Sequence, residues 1–150
     1  MTTIGSAPAD SAGSVLVRRW SHHARNVGAA RHELRCQMEI WGLAPLAEIA
    51  ELVLSELLSN SVRHARNPRG RHIETRYEKT NAAELRIEVH DANTSLPIPQ
   101  KADTDAEAGR GLVLVHALTQ GRWGVEERPH GIGKLVWAVC ADTGAVGVSG

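Results

Sequence analysis

The sequence predicts an α+β fold, with helices laid on one face of a mixed, mostly antiparallel sheet. Two stretches in the first half, about 23–40 and 46–66, repeat apolar residues at helical spacing. Runs with strand character, about 71–79 with 84–91 and 122–128 with 132–141, fill the second half as two hairpins. Between those hairpins, residues 92–109 show no periodicity, and so long an uncovered segment in a small domain is usually functional or disordered.

Taken in order, residues 1–13 are rich in Ala, Ser, Gly and Pro, which predicts a disordered tail before a domain spanning 14–141. Ser14 to Trp20 reads as a short strand. Ser21 is placed to cap the first helix, along which Ala24, Val27, Ala30, Leu34, Met38 and Trp41 recur. Gly42 stops it, and Pro45 stands at the first turn of the next helix. Asn67-Pro68-Arg69-Gly70 is a turn. The strand at 84–91 alternates, with Leu85, Ile87 and Val89 on one face and Arg86, Glu88 and His90 on the other. Gly109-Arg110-Gly111 closes the long loop, Leu112 to Thr119 reads as a compact apolar helix, and 142–150 as a second flexible tail.

Composition excludes several classes of function. The 17 basic and 17 acidic residues cancel, so no charge points to a nucleic acid or membrane surface. Cys36 and Cys140 lie far apart without a Cys-x-x-Cys pattern, which fits a reducing cytoplasm and suggests neither metal nor redox chemistry. The first residues have no basic and apolar signal-peptide pattern, and no apolar run has the length of a membrane span. His22 and His23 lack spaced carboxylate or thiol partners. Trp20, Trp41, Trp123 and Trp137 read as core or interface anchors, because no basic stripe accompanies them.

The helix at 46–66 carries the chemistry. Leu46, Ile49, Ala50, Val53, Leu54, Leu57, Leu58 and Ala65 gather on one face, and Glu48, Ser55, Ser59 and Arg66 fall opposite. Glu56, Asn60 and His64 follow one another at intervals of four, along a line that borders the apolar face. Unpaired burial of such groups costs several kcal/mol, on the order of 2–7 for a neutral polar group. Two readings are open. In one, Glu56 pairs with an Arg, Asn60 caps a loop and His64 packs without a further role. In the other, Glu56 is a general base and Asn60 supplies an oxygen to a hard cation such as Mg²⁺.

Two more features join that line. Asp91-Ala92-Asn93 stands where an alternating strand enters the long loop, and an aspartate there can accept a hydrogen bond from the exocyclic amine of adenine. Gly109-Arg110-Gly111 stands where the loop meets a helix, and a glycine-rich helix entry suits phosphate. The loop between them is a candidate lid. No P-loop or dinucleotide fingerprint occurs.

In this order, Glu-Leu-Leu-Ser-Asn-Ser-Val-Arg-His-Ala (56–65), Asp-Ala-Asn (91–93), Gly-Arg-Gly-Leu-Val-Leu-Val (109–115) and Gly-Lys-Leu-Val-Trp-Ala (133–138) resemble the ATP-binding boxes of the histidine kinase-like (GHKL) ATPases. The length, the Arg-His-Ala ending and the closing Gly-Lys-x-Val-Trp resemble its small stand-alone branch, which contains the anti-sigma factor serine kinases. The resemblance covers about 14–140 and implies a two-layer sandwich of the Bergerat type. It implies Mg²⁺ on Asn60, proton removal from an attacking hydroxyl by Glu56, and Arg63 and His64 near phosphate. It also implies adenine on Asp91, a phosphate-side lid hinge at Gly109, Arg110 and Gly111, and nucleotide contacts from Asn93 and Leu112.

The family often has Gly or Ser where Asn93 stands, and Thr where Leu135 stands, so the expectation is retained ATP binding with lowered affinity. The resemblance further implies an anti-anti-sigma antagonist phosphorylated on Ser or Thr, a sigma factor as second partner, and a homodimer. The alternative is a non-catalytic ATP-binding switch that controls a partner through nucleotide-dependent binding.

Overall fold

The structure, a computed structural model, describes residues 14–63, 72–91, 106–129 and 133–141, with backbone alone at 106–110. Strand β1 (Ser14–Trp20) precedes α1 (Arg25–Ile40), a 3₁₀ turn (Ala44–Leu46) and α2 (Ala47–Arg63). Then come β2 (Ile73–Asn81), β3 (Glu84–Asp91), α3 (Ala106–Thr119), β4 (Trp123–Glu127) and β5 (Lys134–Ala141). The strands form one five-stranded sheet in the order β1-β2-β3-β5-β4. Every neighbouring pair is antiparallel, in keeping with the mostly antiparallel sheet expected. The reason is that β5 folds back between β3 and β4. Those two strands run in the same direction and are linked across α3, but they never pair.

The helices cover one face of this sheet, so the fold has two layers and is α+β as expected. Leu85, Ile87 and Val89 of β3 stand opposite Cys140, Ala138 and Val136 of β5, and all six are buried in the core. Tyr77 of β2, opposite Ile87, joins them and is fully buried. Helix α2 lies above β3 and β5 and between α1 and α3. Enclosure on three sides explains its wide apolar face: Ala50, Val53, Leu54, Leu57 and Leu58 are all buried. Deleting one of these leucine side chains costs on the order of 2–5 kcal/mol. Ala65, expected on the same face, lies outside the described residues, as do the turn at 67–70 and residues 130–132 of the β4–β5 turn. Helix α1 packs on α2 and on the 3₁₀ turn, and its buried stripe is the narrower Ala30, Leu34 and Met38.

Local chemistry sets the helix ends. Gly42 has φ of 77°, its N–H donates to the Glu39 carbonyl, and the Leu43 N–H donates to the Met38 carbonyl. That is a Schellman closure, which needs the left-handed conformation glycine adopts without strain, and it sets buried Leu43 by buried Met38. Ser21 does not cap α1 as expected. The residue before the helix is Ala24, which makes no side-chain cap bond, and Asn26 Nδ2 instead donates to the Ser21 hydroxyl and carbonyl, both at 3.0 Å. Helix α3 begins at Ala106, six residues before the expected start. The expected loop therefore ends by 105, and its remaining part, 92–105, lies outside the described residues.

Three of the tryptophans anchor edges of the sheet or the core. Trp41 is buried, Trp20 donates to Thr75 Oγ1 at 2.9 Å, and Trp123 donates to His116 Nδ1 at 3.1 Å. Trp137 lies on the outer face of the sheet, with the Arg86 guanidinium 4.8 Å from its ring centre.

That outer face is organised around Glu88. Its carboxylate accepts from Arg86 Nε at 2.8 Å and from His90 Nε2 at 2.7 Å, and Arg76 Nη1 lies at 3.6 Å. Burial pushes the Glu88 pKa up, but the bonds from His90 and Arg86 and the charges of Arg86 and Arg76 outweigh it and bring it down to about 2. A depressed carboxyl pKa adds stability that is full above the unfolded value of 4.5 and is lost as pH falls towards 2. We predict that Glu88→Gln lowers stability at pH 7 by on the order of 1–3 kcal/mol. The gap to the parent should narrow as pH drops from 4.5 towards 2, in denaturant melts at several pH values. A gap constant with pH would show that ionisation of Glu88 contributes nothing.

Candidate functional site

Helix α2 puts Glu56 and Asn60 one turn apart, and the structure shows what surrounds each. Asn60 is buried, while Glu56 is half-buried where α2 meets α3. A Cβ built on Gly111 would stand 2.5 Å from Glu56 Oε1, closer than real atoms approach. Gly111 is buried in the second turn of α3, so its missing side chain leaves the space that the Glu56 carboxylate fills. The first and third boxes of the sequence therefore meet in atomic contact. Leu112, the next residue, is buried.

The helix boundary changes the expected role of the glycines. Only the first four N–H groups of a helix lack internal partners. In α3, which starts at Ala106, these end at 108, so Gly109, Arg110 and Gly111 all lie beyond them, within the helix. Gly111 is thus a packing glycine against Glu56 and does not expose a free N–H at a helix entry.

Asn60 Oδ1 accepts a hydrogen bond of 2.7 Å from Nη2 of Arg63, three residues along α2. An amide oxygen has two lone pairs, so one direction remains for a further ligand. Among the described residues, no group of three or more His, Cys, Asp or Glu could hold a metal ion. Mg²⁺ beside a nucleotide is ordinarily held by one or two protein oxygens, with phosphate and water supplying the rest, and a single amide oxygen from Asn60 fits that pattern.

Asp91 ends β3 on the helix side of the sheet, in line with Val89 and Ile87, and is 3% exposed. Its partner in register is Lys134, the first residue of β5, whose Nζ is 4.0 Å from Asp91 Oδ2. Burial pushes the Lys134 pKa down and the charge of Asp91 opposes that fall. Sequence reasoning passed over Lys134. The signal available was a lysine opening an otherwise apolar strand. His64 and Asn93 lie outside the described residues, and Gly109 and Arg110 are described by backbone alone.

A family model for the histidine kinase-like ATPase domain matches residues 20–137. The chain belongs to that family. No curated protein matches it. Histidine kinase-like ATPase domains bind ATP, usually with Mg²⁺, and the matched span includes α2, the end of β3, α3 and the start of β5. No helix among the described residues is long and apolar enough to cross a membrane.

The packing of Gly111 gives a sharp expectation. Only the flexible end of Glu56 stands in the way of a Cβ there, and alanine favours helices over glycine by about 1 kcal/mol. Gly111→Ala should keep or raise the melting temperature and keep ATP binding, while ATP turnover falls at least about tenfold through the displaced carboxylate. Calorimetry and a turnover assay on the same preparation check both halves. Full turnover would mean that the position of Glu56 does not matter.

Proposed function

We propose that this chain is an ATP- and Mg²⁺-dependent serine/threonine protein kinase of the anti-sigma type, which phosphorylates an antagonist protein in a partner-switching system. The observation that carries the reading is the seating of Glu56 against Gly111, one helical turn from Asn60. A carboxylate fixed at that point suits proton removal beside a cation site better than a purely structural role. Each residue then has a task. Asp91 accepts a hydrogen bond from the adenine amine, with Asn93 beside it. Asn60 offers its amide oxygen to the cation, while Arg63 and His64 lie near the phosphates. Gly109, Arg110 and Leu112 belong to the first two turns of α3, which follow the lid.

Bound Mg²⁺ supplies charge neutralisation across the phosphates. Glu56 takes the proton of a Ser or Thr hydroxyl as its oxygen bonds to the γ-phosphorus, and ADP leaves with the electrons of the broken bond. Asn93 and Leu135, where the resembled family has smaller or hydroxyl-bearing residues, are expected to lower affinity without abolishing it. The partners are an anti-anti-sigma type antagonist and a sigma factor, held by a cytoplasmic homodimer.

General-base help is worth about 10²–10⁴ in rate and contributes little to holding the nucleotide. Glu56→Ala should therefore bind Mg-ATP nearly as well as the parent and lose phosphoryl transfer to the antagonist. Thermal shift with Mg-ATP and radiolabel transfer measure the two. A parent protein that binds ATP and transfers no phosphate would leave the alternative, a nucleotide-controlled binding switch.

Asn60→Ala should abolish the Mg²⁺-dependent part of ATP binding, read by titration with and without the metal. Unchanged binding would reduce Asn60 to a structural residue.

A further inference from the structure

We propose that Lys134 is a positioning residue for Asp91, holding that carboxylate in the orientation that reads the base and so setting the preference for adenine. The inference rests on the reading of Asp91 as the base acceptor. It starts from a placement that packing alone does not explain. The side chains of Lys134 and Asp91 are 8% and 3% exposed, yet both are ionisable. A buried charge is retained at low cost only beside its opposite, and removing one member leaves the other uncompensated.

The geometry fits orientation better than bonding. The two residues are direct partners across β3 and β5, so both side chains leave the sheet on the helix side, at the end where β3 finishes and β5 begins. The separation of 4.0 Å is beyond hydrogen-bond length. At that distance the ammonium attracts the carboxylate without a hydrogen bond to Oδ2. On its other side, Lys134 is in register with Glu127 of β4, which is exposed. Water weakens that second attraction relative to the one with the buried carboxylate.

A carboxylate held in place favours a base that donates at this position. Adenine presents an amine there and guanine a carbonyl oxygen, which faces a carboxylate unfavourably. A carboxylate freed to turn would read that difference less well, and the selectivity between the two bases would shrink.

A double-mutant cycle tests this, with Mg-ATP and Mg-GTP binding measured by equilibrium dialysis for the parent, Lys134→Gln, Asp91→Asn and the double variant. Melting temperatures without nucleotide accompany each. The parent should prefer ATP. Lys134→Gln should weaken ATP about tenfold and narrow the ATP-to-GTP ratio, the scale of one disrupted charged contact. In the Asp91→Asn background the same change should add no further loss. Lys134→Arg keeps the charge and should keep the preference, which separates this role from packing and serves if Lys134→Gln fails to fold.

Independent, additive losses overturn the inference, since Lys134 would then act on the nucleotide or on the fold directly. An unchanged ratio in Lys134→Gln overturns it too, as does an Arg variant that loses selectivity. A parent that binds ATP and GTP equally, or neither, instead overturns the reading of Asp91 on which all of this rests.

Discussion

The enclosure of α2 between α1, α3 and the sheet governs the rest of this molecule, because it asks one helix to be apolar on most of its circumference. Val53, Leu54, Leu57 and Leu58 meet that demand and share one core with Ile87, Val89, Val136 and Ala138. Little room remains for polar groups along the helix. Glu56 and Asn60 lie along this helix all the same, Glu56 in the space beside Gly111 and Asn60 accepting a hydrogen bond from Arg63. The scaffold and the chemistry are therefore set by the same helix. A change that loosens its packing also moves the groups it presents.

The two faces of the sheet solve opposite problems. On the helix side, apolar side chains exclude water, and the charged pair of Asp91 and Lys134 occurs only at the strand ends. Among the described residues no helix covers the other side, and charges are spread across it. Glu88 collects Arg86, Arg76 and His90, and Arg86 also covers the ring of Trp137. One carboxylate thus neutralises neighbours on two strands, which keeps this face polar without leaving a buried group unpaired.

Much of this was legible in the sequence, for identifiable reasons. The alternation of Leu85, Ile87 and Val89 fixed which face of β3 turns inward, and the spacing from Leu46 to Leu58 located α2. The strand order was not legible, since nothing local reveals that β5 inserts between β3 and β4. The start of α3 was missed because Gly109 and Gly111 mask a helical pattern, although each is tolerated once neighbouring elements hold the helix. Glu56 and Asn60 were visible as polar residues beside an apolar stripe. The partnership of Asp91 with Lys134 depends on a cross-strand register that sequence spacing does not encode.

The contact between Glu56 and Gly111 gives α3 a mechanical character. The helix runs unbroken from Ala106 to Thr119, about 20 Å of rigid rod, and Gly111 sits roughly a third of the way along it. A rod fixed at its far end by buried Val115 and Thr119 turns any push on its first turns into a tilt. Because no side chain cushions the contact at Gly111, that tilt is passed straight to the Glu56 carboxylate. Whatever moves residues 106–110 therefore alters the reach of one oxygen on another helix, and no hydrogen bond of either helix need break for that to happen.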